Sequence, residues 1–185
     1  MSKSLVEEDF RWAAQAIGCD VRAVKAVCKV EAPRGGFLAS GEPAILFERH
    51  IFSRLTNRRY DNTAPDLSNK TPGGYSGGQA EHKRLARAAA LDRNAALKAA
   101  SWGKFQILGS NFKQAGFGSL QEFINAMYVS ERTQLEAFVS FIKADLRLVA
   151  ALRNRDWKTF ARIYNGPNYA INKYDTKLAT AYMEA

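Results

Sequence analysis

The chain has 185 residues, of which 46% are hydrophobic and 24% charged, and a formal net charge of +9. That length and apolar content suit one globular domain with a real core and exclude an intrinsically disordered chain. The charge implies attraction to polyanions (nucleic acid, anionic lipid or an acidic cell wall) without choosing among them.

In chain order the pattern is helix-rich. The first nine residues, Met1-Ser-Lys-Ser-Leu-Val-Glu-Glu-Asp9, contain no apolar h-region, so no classical signal peptide is expected. No run approaches the roughly 20 apolar residues that span a bilayer. Phe10, Ala13, Ala14 and Ile17 predict a first amphipathic helix, and Val21, Val24, Val27, Cys28 and Glu31 predict a second. Two cysteines nine residues apart, Cys19 and Cys28, lie about 13 Å apart if the segment is helical. A disulfide needs Cα atoms within about 7 Å, so both are read as free thiols.

The texture then changes. Gly35, Gly36, Gly41 and Pro43 precede a short strand-like run, Ala44–Phe47, followed by Glu48-Arg49-His50 and a short helix through Ile51, Phe52 and Leu55. Residues 57–78 read as a long loop, a length that usually carries function. Ala-rich residues 79–100 predict one or two helices, broken near Asp92 and Asn94. Ser119-Leu-Gln-Glu122 has capping-box spacing ahead of Phe123, Ile124 and Met127. Leu135, Phe138, Val139, Ile142 and Leu146 predict a central core helix. Trp157, Phe160, Ala161 and Tyr164 predict another, stopped by Asn165-Gly-Pro167. No internal repeat or linker divides the chain, so residues 1–185 are expected to form a single domain.

Glu31 is the residue out of place. It continues the apolar stripe of its helix, whereas Arg22, Lys25 and Lys29 take the opposite face. Burial disfavours an ionised carboxylate and raises its pKa, the property a general acid needs near neutrality. Ala32-Pro-Arg-Gly-Gly36 then breaks the helix and lets other groups approach the carboxylate.

Three further segments carry candidate chemistry. Ala100-Ser-Trp-Gly-Lys-Phe-Gln-Ile-Leu-Gly109 places Ser101, Gly103 and Gln106 between helices, with Gln106 offering both a donor and an acceptor. Ile163-Tyr-Asn-Gly-Pro167 ends a core stripe in Tyr164, whose hydroxyl needs a buried partner, and a carboxylate would serve. Ile45-Leu-Phe-Glu-Arg-His50 sets an acid, a base and an imidazole at the end of a buried strand. His50, His82 and the cysteines do not fall at zinc-ligand spacing, and no phosphate-binding glycine motif is present, so no metal or cofactor is expected.

Taken together, a helix ending in Glu, a Gly-rich β region, Ser-x-Gly-x-x-Gln-Ile and Tyr-Asn-Gly resemble the lysozyme superfamily near goose-type lysozymes and lytic transglycosylases. Within it the chain resembles the N-acetylmuramidases of bacteriophage endolysins. Ala23–Glu31, Gly36–His50, Ala99–Gly116 and Arg155–Tyr182 carry the likeness, most tellingly ILFERHIF, ASWGKFQILGSNF and YNGPNYAINKYDTKLATAY.

The resemblance implies an α+β, predominantly helical, lysozyme-like fold with a small β region and a helical lobe flanking a sugar cleft. It implies cleavage of the β-1,4 bond between N-acetylmuramic acid and N-acetylglucosamine in peptidoglycan glycan strands. Glu31 matches the catalytic acid; Ser101, Gln106, Tyr164 and Asn165 match cleft positions. It further implies a monomer made in a host cytoplasm and released to the wall by a holin-type route. Many such endolysins carry a wall-binding module ahead of the catalytic domain, for which this chain leaves no room. Wall affinity would then come from the cleft and the positive charge, including the cationic stretch Lys143–Arg155.

Glycoside hydrolysis ordinarily uses two carboxylates. Glu48, following the buried strand, is the first choice for the second. It could instead pair with Arg49 or Lys104. Glu42, Asp61 and Asp66 are weaker candidates. If no second acid exists, water attacks with Glu31 acting alone, or the muramic 6-hydroxyl attacks and leaves a 1,6-anhydro end, as in a lytic transglycosylase. A basic nucleic-acid-binding module and a non-catalytic wall-binding domain are the readings from other classes. Scattered basic residues and the absence of a recognition motif count against the first, and Glu31 against the second.

Overall fold

The computed structural model describes residues 4–31, 35–166 and 170–185. Its elements run α1 (Glu7–Ile17), α2 (Val21–Glu31), β1 (Ile45–Phe47), α3 (Arg49–Leu55), α4 (Gln79–Leu91), α5 (Arg93–Lys98), β2 (Ala100–Trp102) and β3 (Ile107–Leu108). A 3-10 turn at Gly109–Asn111 leads to α6 (Leu120–Met127), α7 (Glu131–Lys143), α8 (Leu146–Asn154), α9 (Trp157–Tyr164) and α10 (Tyr174–Met183).

Helix α2 is buried on two sides. Val24, Val27 and Cys28 enter the main core, while Ala23 and Ala26 pack against Ala181 and Tyr182 of α10. This grip from both flanks fixes the end of α2, where Glu31 stands. Cys19 and Cys28 are free thiols, and burial pushes Cys28 up to about 12.

The sheet is larger than the sequence pattern indicates. Its order is β1-β2-β3, antiparallel throughout, with Leu46 opposite Ser101 and Ser101 opposite Leu108. Only β1 was expected as a strand. Strands β2 and β3 have three and two residues, too few for alternation to register. Directly opposed residues share a face, so Leu46, Ser101 and Leu108 form one half-exposed row. Phe47, Ala100, Trp102 and Ile107 face the core.

The capping box at Ser119 forms, with Glu122 N–H donating to Ser119 Oγ and Ser119 N–H to Glu122. Asp92 breaks the Ala-rich stretch by capping α5 through the Ala95 N–H. The central core helix, however, stops at Lys143. Asp145 accepts the Arg147 N–H and starts α8, leaving Leu146 79% exposed rather than in the core. Leu135, Phe138, Val139 and Ile142 are buried as the stripe requires.

Residues 57–78 contain no helix or strand but are fastened at several points. Leu67 and Ser68 are buried, Ser68 Oγ donates to Asp61, and Arg84 donates to the Asp66 carbonyl. The far end is held by Glu81, which is 0% exposed. Its carboxylate accepts N–H bonds from Ser76 (2.5 Å), Gly77 (3.1 Å) and Phe47 (2.9 Å) and pairs with Arg84 at 2.9 Å. Burial pushes the Glu81 pKa up, but these N–H groups and Arg84 together hold it below the usual carboxylate range.

Candidate active site

Glu31 is half-buried at the C-terminal end of α2. Its Oε2 accepts a 2.9 Å bond from Asn165 Nδ2, just beyond α9. Its Oε1 is buried with no partner, and so is Asn165 Oδ1. Two orphan atoms therefore belong to one carboxyl–amide pair. A proton on Glu31 would supply the donor that this pair lacks. The electrostatics agree: burial raises the Glu31 pKa, while the Asn165 bond and the Lys177 ammonium only partly pull it back. The negative end of the α2 dipole adds to the cost of ionising the group.

Glu31 and Gln106 both line two adjoining cavities, of about 360 and 400 Å³, which form one trough. The first is walled by the β region, including Leu46, Gly103 and Lys104, and by Gly77 from the end of the 57–78 segment. The second is walled by Leu108 and by Phe141, Tyr164, Asn165 and Tyr174 of the helical side. Ser101 lies in the sheet row between Leu46 and Leu108, each of which lines one cavity.

Backbone geometry sets Gln106. It sits at φ 49°, in the left-handed region. Its amide donates to Gly103 O at 2.8 Å and Ala44 O at 3.3 Å, tying the β2–β3 turn to the residue before β1. Tyr164 donates to the Phe105 carbonyl at 3.1 Å, so its buried partner is a backbone oxygen and not a carboxylate. Burial and the Glu31 charge push its phenol above the ordinary tyrosine range.

Of the residues singled out from the sequence, Glu31, Gln106, Tyr164 and Asn165 converge on the trough. Glu48 is placed differently. Its carboxylate accepts the Tyr75 hydroxyl at 2.8 Å, lies 3.3 Å from His50 Nδ1, and lines neither cavity. Arg49 turns away from it to donate to the Thr71 and Pro72 carbonyls, and Lys104 pairs with Glu131. Glu42 is held by Gln79 and Ser40, Asp61 by Ser68 and Arg58, and Asp66 by Arg87. Among the described residues Glu31 is the one carboxylate lining the trough. Ala32, Pro33 and Arg34 of the loop after Glu31, and Pro167, lie outside the described residues.

Two groups escaped the sequence reading. Tyr174 opens α10 and faces the second cavity; burial and the Glu31 charge raise its pKa, and a bond with Asn165 lowers it. Nothing in its local pattern distinguishes it from a surface tyrosine. Glu131 and Gln134 in the first turn of α7 are buried behind the trough. Here a signal existed: positions 131, 134, 135 and 138 continue one helix face, so two polar residues extend an apolar stripe, as Glu31 does.

A short antiparallel sheet facing a helical lobe across a trough, with a protonation-prone acid at a helix end, defines a lysozyme-like glycosidase. The chain belongs to the N-acetylmuramidase family, whose sequence profile matches residues 20–185, and is a glycoside hydrolase. The crystal structure of the Burkholderia AP3 phage endolysin is similar over 98% of this chain and 71% of that one, with 44% identity and a TM-score of 0.93. A search of curated protein sequences gives no match.

Proposed function

We propose that the chain is a phage or prophage endolysin that hydrolyses the β-1,4 bond between N-acetylmuramic acid and N-acetylglucosamine in peptidoglycan, with Glu31 as general acid. Family membership and the likeness to a phage endolysin support the class and the wall as target. The observation that carries the catalytic assignment is the half-satisfied Glu31–Asn165 pair at the centre of the trough.

In this reading the glycan lies along the trough with its scissile oxygen at Glu31. Glu31 gives its proton to that oxygen, the C1–O bond breaks toward the leaving sugar, and positive charge develops at C1. Water then adds to C1 and returns a proton to the Glu31 carboxylate. Asn165 acts after transfer: its Nδ2 donates to the Glu31 carboxylate and stabilises the anion. Gln106, Tyr164 and the Ser101 row bind and orient the sugars. Glu48 stays the candidate second carboxylate. Its bond to Tyr75 and its position outside both cavities suit an indirect role better than nucleophilic attack.

The reading takes the catalytic unit as one domain acting as a monomer, drawn to anionic envelopes by its +9 charge. No helix among the described residues is long and apolar enough to cross a membrane. Mass spectrometry of digested peptidoglycan tests the reaction. Free reducing N-acetylmuramic acid ends are expected; 1,6-anhydro ends would refute hydrolysis.

A further inference from the structure

Gly36 and the β2–β3 turn at Lys104 reach the same turn of α7. Glu131 Oε1 accepts the Gly36 N–H at 2.6 Å and the Lys104 ammonium at 3.4 Å, and its Oε2 accepts the Leu5 N–H at 3.1 Å. Gln134 Oε1 accepts the Lys104 N–H at 2.7 Å, while its Nε2 donates to Met127 O at 2.8 Å and Gly36 O at 3.4 Å. Each of these two side chains therefore touches both segments. Gly36 belongs to the segment that leaves Glu31, and Lys104 to the β2–β3 turn that ends in Gln106.

The backbone is shaped to admit this contact. A Cβ on Gly36 would overlap Gln134 Oε1, and one on Gly103 would come within 2.7 Å of Gln134 Cδ. Gly103 also needs φ 70°, which glycine adopts without strain. Gln134 is 1% exposed, so water cannot replace its bonds. Gly35, Gly103 and Lys104, next to or within the clamped segments, line the 360 Å³ cavity together with Glu31.

We infer that Glu131 and Gln134 are positioning residues for glycan cleavage: a clamp of two side chains, spaced i, i+3 on α7, that fixes the width of the trough at Glu31. They do not touch substrate. They hold the Gly35–Gly36 segment and the Gly103–Lys104 turn at the separation that brings a bound sugar onto the acid. The inference rests on Glu31 being that acid.

The test is steady-state cleavage of soluble N-acetylglucosamine–N-acetylmuramic acid oligosaccharides, normalised to folded protein and run well below each variant's Tm. Gln134→Met keeps the shape and removes every bond; kcat/KM is expected to fall by about 10–100-fold, the penalty of an ångström-scale misplacement, through both a lower kcat and a higher KM. Glu131→Ala should fall similarly, and Glu131→Gln, which keeps an acceptor for the Gly36 N–H, should recover much of the loss. Hydrogen exchange should accelerate at the Lys104 amide in Gln134→Met and at the Gly36 amide in Glu131→Ala, the variants that remove each amide's acceptor. Leu152→Ala, a core truncation in α8 away from the trough, should lower Tm and leave kcat/KM per folded molecule unchanged. Wild-type kcat/KM in Gln134→Met, or an equal loss in Leu152→Ala, overturns the clamp. If Gln134→Met does not fold, equal kcat/KM in Glu131→Gln and Glu131→Ala overturns it. Glu31→Gln is assayed alongside: activity there would refute the acid assignment itself, whereas an inactive Glu31→Gln beside an unaffected Gln134→Met refutes the clamp alone.

Discussion

Glu31→Gln separates the chemistry of this carboxylate from its effect on stability. Ionised Glu31 leaves Oε1 buried and unpaired, a defect that costs about 1–3 kcal/mol. Glutamine retains an oxygen for the Asn165 Nδ2 bond and brings an N–H, the donor that Asn165 Oδ1 lacks. The retained bond loses its charge assistance, roughly half its strength or about 1 kcal/mol. The balance is a gain of about 1 kcal/mol once Glu31 is ionised, or a Tm increase of about 2–4 °C for a chain of this length.

The pH dependence identifies the cause. The folded pKa of Glu31 is raised by burial, with Asn165 and Lys177 opposing. The native state therefore holds a proton that the unfolded chain has released. Stability is unaffected below the unfolded pKa, declines as pH rises from there through the folded pKa, and is then level. The advantage of Glu31→Gln should thus vanish near pH 3 and be complete above the folded pKa. Calorimetry across pH reads the stability, and turbidity loss with reducing-end release reads the activity. Activity should drop by at least about 10²–10⁴-fold, the range for a general acid. A folded variant with near wild-type lysis would sink the assignment; a stability gain that is the same at acid and neutral pH would show that the carboxylate is not desolvated.

Three other outcomes follow from the same geometry. Because the Asn165 bond favours the ionised form of Glu31, Asn165→Ala should move the alkaline limb of the pH–rate profile upward; a downward shift or no shift refutes that role. Glu81→Ala leaves Arg84 and three backbone N–H groups without their acceptor, and should destabilise the fold by about 3–5 kcal/mol in chemical denaturation. The contribution of Glu81 itself should be present above the ordinary glutamate pKa and fade as pH falls through its lowered folded value. Gly36→Ala drives a methyl group into Gln134 and should cost about 1–3 kcal/mol by overpacking; a wild-type Tm would contradict the close contact.

The helical frame was legible because its signals are local. Stripes such as Phe160–Ala161–Tyr164, the Ser119 capping box and the Asp92 break depend on residues three or four apart, and the structure follows them. The short strands were missed because distant partners decide them. Strand β2 exists because β1, more than fifty residues away, pairs with it, and β3 in turn pairs with β2. Leu146 looked like core because it continued a period, but Asp145 caps a new helix one residue earlier and turns it to solvent.

The same distinction governs the site. Three glutamates, Glu31, Glu81 and Glu131, extend buried helix stripes, so stripe position alone marks a buried carboxylate and not a catalytic one. Their partners tell them apart. Glu81 receives three backbone N–H bonds and an arginine, and Glu131 receives two N–H bonds and a lysine. Such carboxylates have their oxygens satisfied by fixed donors and serve as structural anchors. Glu31 receives one amide bond on one oxygen, leaves the other buried without a partner, and has a pKa displaced upward where that of Glu81 is displaced downward. An acid must be able to both hold and release its proton, and only incomplete satisfaction leaves that choice open. Phe47 on Glu81, Gly36 on Glu131 and Asn165 on Glu31 come from residues 34, 95 and 134 positions away, separations that no reading of one helix can supply.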